Sequence, residues 1–140
     1  MKNQFSIIIP AKNEEKTIAE IIKKVLKYSN EIIIVDGHST DNTKNIAESL
    51  GAKVILDNKR GKGAALKIGA ENASKKIIVF MDADGSHETS DIPKLVKPIL
   101  EDKSDMVIAS RMLGGSDELH GTLPNFIRNV SSNLVQLAIN

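Results

Sequence analysis

Two acidic residues separated by one small one, Asp82-Ala83-Asp84, follow the apolar run Lys76-Ile77-Ile78-Val79-Phe80-Met81 without a break and precede Gly85. Carboxylates held this close at the end of a strand can share one divalent cation and its water shell. An all-oxygen donor set selects Mg2+ or Mn2+ rather than zinc. A cation so placed would bridge a diphosphate and offset the charge that grows on it as a sugar departs. A D-x-D pair is also common as a loop cap facing water, so spacing alone does not decide between the two. Its place at a strand terminus, among the other groups below, favours the cation. His87 and Glu88 flank the pair, and His87 is either a third metal ligand or an exposed loop residue.

Asp36 ends another apolar run, Glu31-Ile32-Ile33-Ile34-Val35. Its carboxylate can accept from a base N–H or a ribose hydroxyl, and it can also close an Asx-turn onto Ser39 through Asp36-Gly37-His38-Ser39. His38 reads as a loop histidine. Arg60-Gly61-Lys62-Gly63 opens a helix, where Lys62 and free amides can sit beside an anion. It matches neither the dinucleotide-binding glycine pattern, because Leu66 stands at the third glycine, nor the phosphate-loop pattern, which needs Lys-Ser/Thr. Arg111 comes straight after a fifth apolar run and Arg128 lies further on; a guanidinium donates in parallel to two diphosphate oxygens.

These groups hang on an alternation of short β-branched runs and amphipathic stretches. Strands are predicted over 5–10, 31–36, 53–56, 76–81 and 106–109. Helices are predicted from an Asn13 cap to about Tyr28, over 40–50 with Gly51 closing, over 63–73, and from an Asp91 cap with Pro93 in its first turn. Consecutive apolar residues in the strands mean cover on both faces. The fold class is therefore α/β, a mostly parallel sheet with helices on both faces and its ligand site outside the strands' carboxyl ends. After Arg111, residues 112–122 read as a loop and 123–139 as an amphipathic helix that ends the chain without a following strand.

The bulk properties narrow the partners. The 140 residues suit one domain, and a net charge of +1 provides no global field toward nucleic acid or an anionic membrane. With no cysteine there are neither disulfides nor thiolate ligands, and aromatics at 3% argue against gripping bare sugars or bases by stacking. Ile7-Ile8-Ile9, cut off by Pro10, is too short for a secretory core, and no run approaches the roughly 18 apolar residues of a membrane span. A cytoplasmic location follows as an expectation, peripheral at the membrane face if the acceptor is a lipid.

Taken in order, Ile7-Ile8-Ile9-Pro10-Ala11-Lys12-Asn13-Glu14, Val35-Asp36-Gly37-His38-Ser39-Thr40-Asp41-Asn42-Thr43, Gly61-Lys62-Gly63, Met81-Asp82-Ala83-Asp84-Gly85 and Ala109-Ser110-Arg111 resemble glycosyltransferase family 2. The dolichol-phosphate mannosyltransferase-like branch is the nearest in pattern. The resemblance implies a GT-A fold and an inverting transfer from a nucleoside-diphosphate sugar such as GDP-mannose or UDP-glucose. It implies that Pro10, Ala11, Asn13, Glu14 and Asp36 line the nucleoside pocket, and that Asp82 and Ala83 reach ribose and diphosphate. Asp84 would hold the metal, and Arg111 and Arg128 would clamp the phosphates. Gly37 departs from the second acid many members carry there, which leaves base selectivity open.

Family members continue past the length of this chain, so an acceptor-side half, supplied by further sequence or by a homo-oligomer, is expected. A polyprenyl-phosphate acceptor arrives ionised and needs no protein base, and few acids follow Arg111 apart from Asp117 and Glu118. Two other readings stand beside this one. A sugar-nucleotide pyrophosphorylase would need a glycine-rich loop where Pro10-Ala11-Lys12-Asn13 stands, and a non-catalytic nucleotide-binding module would bind without turnover.

Overall fold

The computed structural model describes residues 2–109 and the backbone of 136–139. Chain order is β1 (Phe5–Ala11), α1 (Ile18–Val25), β2 (Ile32–Asp36), α2 (Thr43–Ser49), β3 (Lys53–Leu56), α3 (Lys62–Glu71), β4 (Ile77–Phe80), α4 (Ile92–Leu100), β5 (Met106–Ala109) and β6 (Gln136–Ile139). One sheet runs β3-β2-β1-β4-β6-β5. β1 pairs in parallel with β2 and β4, and β2 with β3, while β6 is antiparallel to both neighbours.

The period-2 alternation of strand side chains explains how a nearly continuous isoleucine run is buried on both faces. Phe5, Ile7, Ile9, Ile32 and Ile34 face α1, α2 and α4, whose Ile18, Ile22, Val25, Ala47, Ile92 and Val96 fill that layer. Ile8, Ile33 and Val35 face the other way, onto Ala65 of α3 and Phe80. α3 lies close on the sheet because it presents Gly69 there. A Cβ at that position would stand 2.4 Å from Ile8 Cγ2 and 3.1 Å from Val35 Cγ2.

The strand order places β2 and β3 on one side of β1 and β4 on the other. The order in which strands are added therefore reverses between β1 and β4, the switch point at which parallel sheets open a crevice. Ala11 pairs with Asp36, and Ile8 with Phe80, which puts Asp82 at the level of Pro10.

Several expectations are corrected. Residues 136–139 are a strand and do not continue a terminal helix: β6 bonds β4 on one side and β5 on the other. A four-residue apolar run cannot be told from a helix fragment by periodicity, and the gap between two strands decided it. The remainder of the expected loop and helix, 110–135, lies outside the described residues, with Arg111 and Arg128. Asn13 does not cap α1. It sits at φ +54 in a turn, and α1 starts at Ile18 behind Thr17. Its side chain instead accepts the Thr40 amide at 2.8 Å. α2 likewise begins at Thr43 and not Thr40, because 40–42 are spent on that cross-loop bonding. Asp91 precedes α4 as expected but makes an ion pair with Lys94 at 2.8 Å and no side-chain cap.

Candidate functional site

A cleft of about 810 Å³ opens at the carboxyl ends of β1, β2 and β4. Of the residues expected to form a site, Pro10, Ala11, Glu14, Lys62, Asp82, Ala83 and Asp84 all line it. Lys12, Gly37, His38, Asp57 and Lys59 join them. Residues up to 74 positions apart in sequence, from Asp82 and Asp84 back to Pro10 and Ala11, thus share one cavity.

The acidic turn is built by local bonds. The Asp82 amide donates to Nδ1 of His87 at 3.1 Å, and the Ser86 amide donates to Asp84 Oδ1 at 2.8 Å. Gly85 supplies the positive φ, +75, that turns the chain away after Asp84. The Asp82 carboxylate meets Nζ of Lys62 at 2.6 Å; its side chain is 14% exposed against 44% for the lysine. Lys62 is the first residue of α3, so the turn and the start of that helix face one another across the cleft.

Asp36 is 2% exposed. Oδ2 accepts the Ser39 amide at 3.1 Å, the expected Asx-turn, while Oδ1 has no partner among the described residues. Asp36 itself is not among the residues that line the cleft, although its neighbours Val35 and Gly37 are; a buried carboxylate oxygen without a donor is costly. Gly37 belongs here for packing reasons: a Cβ would come within 3.2 Å of Lys12 Cβ, and its amide donates to Ala11 O at 2.8 Å. Asn13 stands just outside the lining, bonded across to Thr40, with the Asn13 amide donating to Ser39 Oγ at 2.9 Å.

The donor set fits a divalent cation. Asp82 and Asp84 offer hard carboxylate oxygens to one cavity, and an ammonium already lies against Asp82. Among the described residues no group of three or more His, Asp or Glu side chains gathers around a point. Mg2+ and Mn2+ bind through one or two carboxylates and take their other ligands from water and phosphate. His87 has a different role in this arrangement. With Nδ1 accepting the Asp82 amide, a neutral ring carries its proton on Nε2, so ligation would require releasing that amide.

His38, expected as a loop histidine, and Asp57, for which the sequence suggested no role, also belong to the cleft. The His38 ring donates through Nε2 to the Asp57 carbonyl at 3.1 Å, and the Asp57 carboxylate lies 3.3 Å from the same nitrogen. Together they close the cleft on the β3 side. The available signal was positional: Asp57 follows the third strand as Asp36 ends the second.

The sheet order and the cleft at its switch point define a Rossmann-like α/β domain of the GT-A type. The chain belongs to glycosyl transferase family 2, whose family model matches residues 6–137. It is 39% identical to the uncharacterized protein MJ1222 of Methanocaldococcus jannaschii, over 96% of this chain and 57% of that protein. It is 34% identical to the UDP-N-acetylglucosamine–dolichyl-phosphate N-acetylglucosaminyltransferase of Methanococcus voltae, over 76% of this chain and 51% of that one. Among solved structures it is similar to glucosyl-3-phosphoglycerate synthase from Mycobacterium tuberculosis in complex with Mn2+, UDP-glucose and phosphoglyceric acid. There the TM-score is 0.73 at 26% identity, covering 99% of this chain and 57% of that chain. The chain spans about half the length of these relatives. No helix among the described residues is long and apolar enough to cross a membrane.

Proposed function

We propose that this domain binds a nucleoside-diphosphate sugar together with Mg2+ or Mn2+ and forms the donor half of an inverting glycosyltransferase whose acceptor is a polyprenyl phosphate. The observation that carries the reading is the convergence of Asp82, Asp84 and Lys62 on one cleft with Pro10, Ala11 and Glu14. The partnerless Oδ1 of Asp36 supports a nucleoside contact, as acceptor for a base N–H or a ribose hydroxyl. The cation, when bound, supplies positive charge to the departing diphosphate.

This chain's residues do the remainder. Asp84, exposed at the mouth, and Asp82, deeper, hold carboxylate oxygens toward the diphosphate side, and Lys62 is within reach to move from Asp82 onto a phosphate oxygen. Arg111 and Arg128, by family pattern, add guanidinium contacts to the same phosphates. A lipid phosphate attacks already ionised, so the in-line displacement needs no general base. Two similar proteins favour a uridine donor over GDP-mannose: one is named for UDP-N-acetylglucosamine and dolichyl phosphate, the other was solved with UDP-glucose and Mn2+.

The test is transfer of label from UDP-glucose, UDP-N-acetylglucosamine and GDP-mannose to a polyprenyl phosphate by the 140-residue chain with Mn2+. Labelled lipid from a uridine donor is the expected result. Tight donor binding with no transfer to any acceptor would instead assign the domain as a nucleotide-binding module.

A further inference from the structure

Thr17 occupies the N-cap position of α1, yet its side chain does not cap that helix. A threonine there ordinarily accepts an amide of the first turn. Here the hydroxyl donates at 2.7 Å to the carbonyl oxygen of Ala83, 66 residues away. Two other acceptors are nearby, the Glu14 carbonyl at 3.4 Å and the Glu14 carboxylate at 3.2 Å. A hydroxyl has one proton to give, and the shortest contact takes it.

Ala83 is the residue between the two acids and is 3% exposed. Its carbonyl belongs to the peptide plane that leads into Asp84, and a planar peptide has no freedom of its own. Fixing that oxygen therefore fixes where the Asp84 backbone starts, relative to Asp82. The other end of the tether is also held. The Glu14 carbonyl accepts the Thr17 and Ile18 amides at 3.1 and 2.9 Å, and the Glu14 amide donates to Thr43 Oγ1 at 2.8 Å. Thr43, fully buried, donates in turn to Asp41 at 2.5 Å. A line of hydrogen bonds thus runs from the loop after β2, through the loop after β1, to the acidic turn after β4.

We infer that Thr17 is a positioning residue for the cation and diphosphate site, its hydroxyl setting the spacing of Asp82 and Asp84 through the Ala83 carbonyl. The inference rests on the proposed donor site, and its test separates the two. Thr17→Val keeps the shape and removes the donor; Thr17→Ser keeps the donor and removes the methyl. UDP and GDP binding would be titrated with and without Mn2+, alongside ligand-free melting and amide exchange at Asp84 and Ser86.

Thr17→Val is expected to lose about tenfold or more in the Mn2+-dependent part of nucleotide affinity. Its metal-free affinity should stay at the wild-type value, its melting temperature should fall with the loss of the Ala83 carbonyl's donor, its Asp84 and Ser86 amides should exchange faster, and Thr17→Ser should recover wild-type behaviour. Wild-type affinity in Thr17→Val, equal losses with and without metal, or a serine variant as weak as valine would each overturn the assignment. If the wild type itself shows no metal-dependent binding, the donor-site reading fails. Amide exchange in the ligand-free variants then decides the tether: unchanged exchange in Thr17→Val refutes it, and faster exchange reversed by serine supports it. Should Thr17→Val fail to fold, Thr17→Ala is compared with serine in the same measurements.

Discussion

At the scale of single residues the central contact is the ion pair of Lys62 and Asp82. At 2.6 Å with a half-exposed lysine it contributes little to folding, about 1 kcal/mol or less. Its effect falls on the site, where an ammonium already neutralises the carboxylate that a cation would use. A cation arriving without nucleotide must displace it. Lys62→Met is therefore predicted to tighten binding of Mn2+ alone by about two- to fivefold, the reciprocal of so modest a pair. It should weaken UDP binding in the presence of Mn2+, because the phosphate loses a cationic partner. Titration of free Mn2+ by electron paramagnetic resonance reads the first effect and calorimetry the second. Weaker binding of Mn2+ alone would show that Lys62 organises Asp82 and does not compete for it. Asp82 and Asp84 were legible from their spacing at a strand end. Thr17 and Asp57 were not, because their significance lies in contacts made across 66 residues and 19 residues of chain respectively.

At the scale of elements, the strands are held in register opposite the cleft by hydrogen bonds between residues 25 to 69 positions apart. Glu31, just before β2, accepts from the Ser6 hydroxyl of β1 and from the Ser74 amide before β4, and Ser6 Oγ accepts the Lys75 amide at 3.3 Å. Burial works to raise the Glu31 pKa, but the Ser6 and Ser74 hydrogen bonds and the charge of Lys75 outweigh it and hold the carboxyl below its ordinary 4.5. A carboxylate with a depressed folded-state pKa stabilises fully above its unfolded value. That contribution fades as the pH drops below 4.5 through the lowered folded-state value. Glu31→Gln is thus predicted to cost roughly 1–2 kcal/mol at pH 7 and progressively less at pH below 4.5. Urea midpoints across that range measure it, and a deficit that is constant with pH would assign Glu31 a packing role only.

The strands themselves were the most legible part of the chain. Runs such as Ile7-Ile8-Ile9 and Ile32-Ile33-Ile34 have few alternatives to a doubly covered strand, and β3 and β5 occupy the very residues expected. Helix starts were less so, because Asn13 looks like a cap and Thr40 like the first residue of a helix, but they bond to each other's loops. β6 was misread because a strand inserted between two others announces itself only through partners distant in sequence.

At the scale of the whole molecule, the order β3-β2-β1-β4 makes the crevice and the order β4-β6-β5 extends the sheet beyond it. Loops after four separate strands meet at one cleft because those strands are parallel and their carboxyl ends lie on the same edge of the sheet. With a net charge of only +1, anion binding here has to come from this local gathering and not from a global field. Arg111 and Arg128, outside the described residues, leave the central claim resting on the acidic turn. Calorimetry of UDP and GDP, each with and without Mn2+, on the wild type and on Asp84→Ala tests it most directly. Nucleotide binding is expected to strengthen with Mn2+ in the wild type and to lose more than about tenfold of that gain in Asp84→Ala. Equal affinity in the two proteins, with metal present, would contradict it.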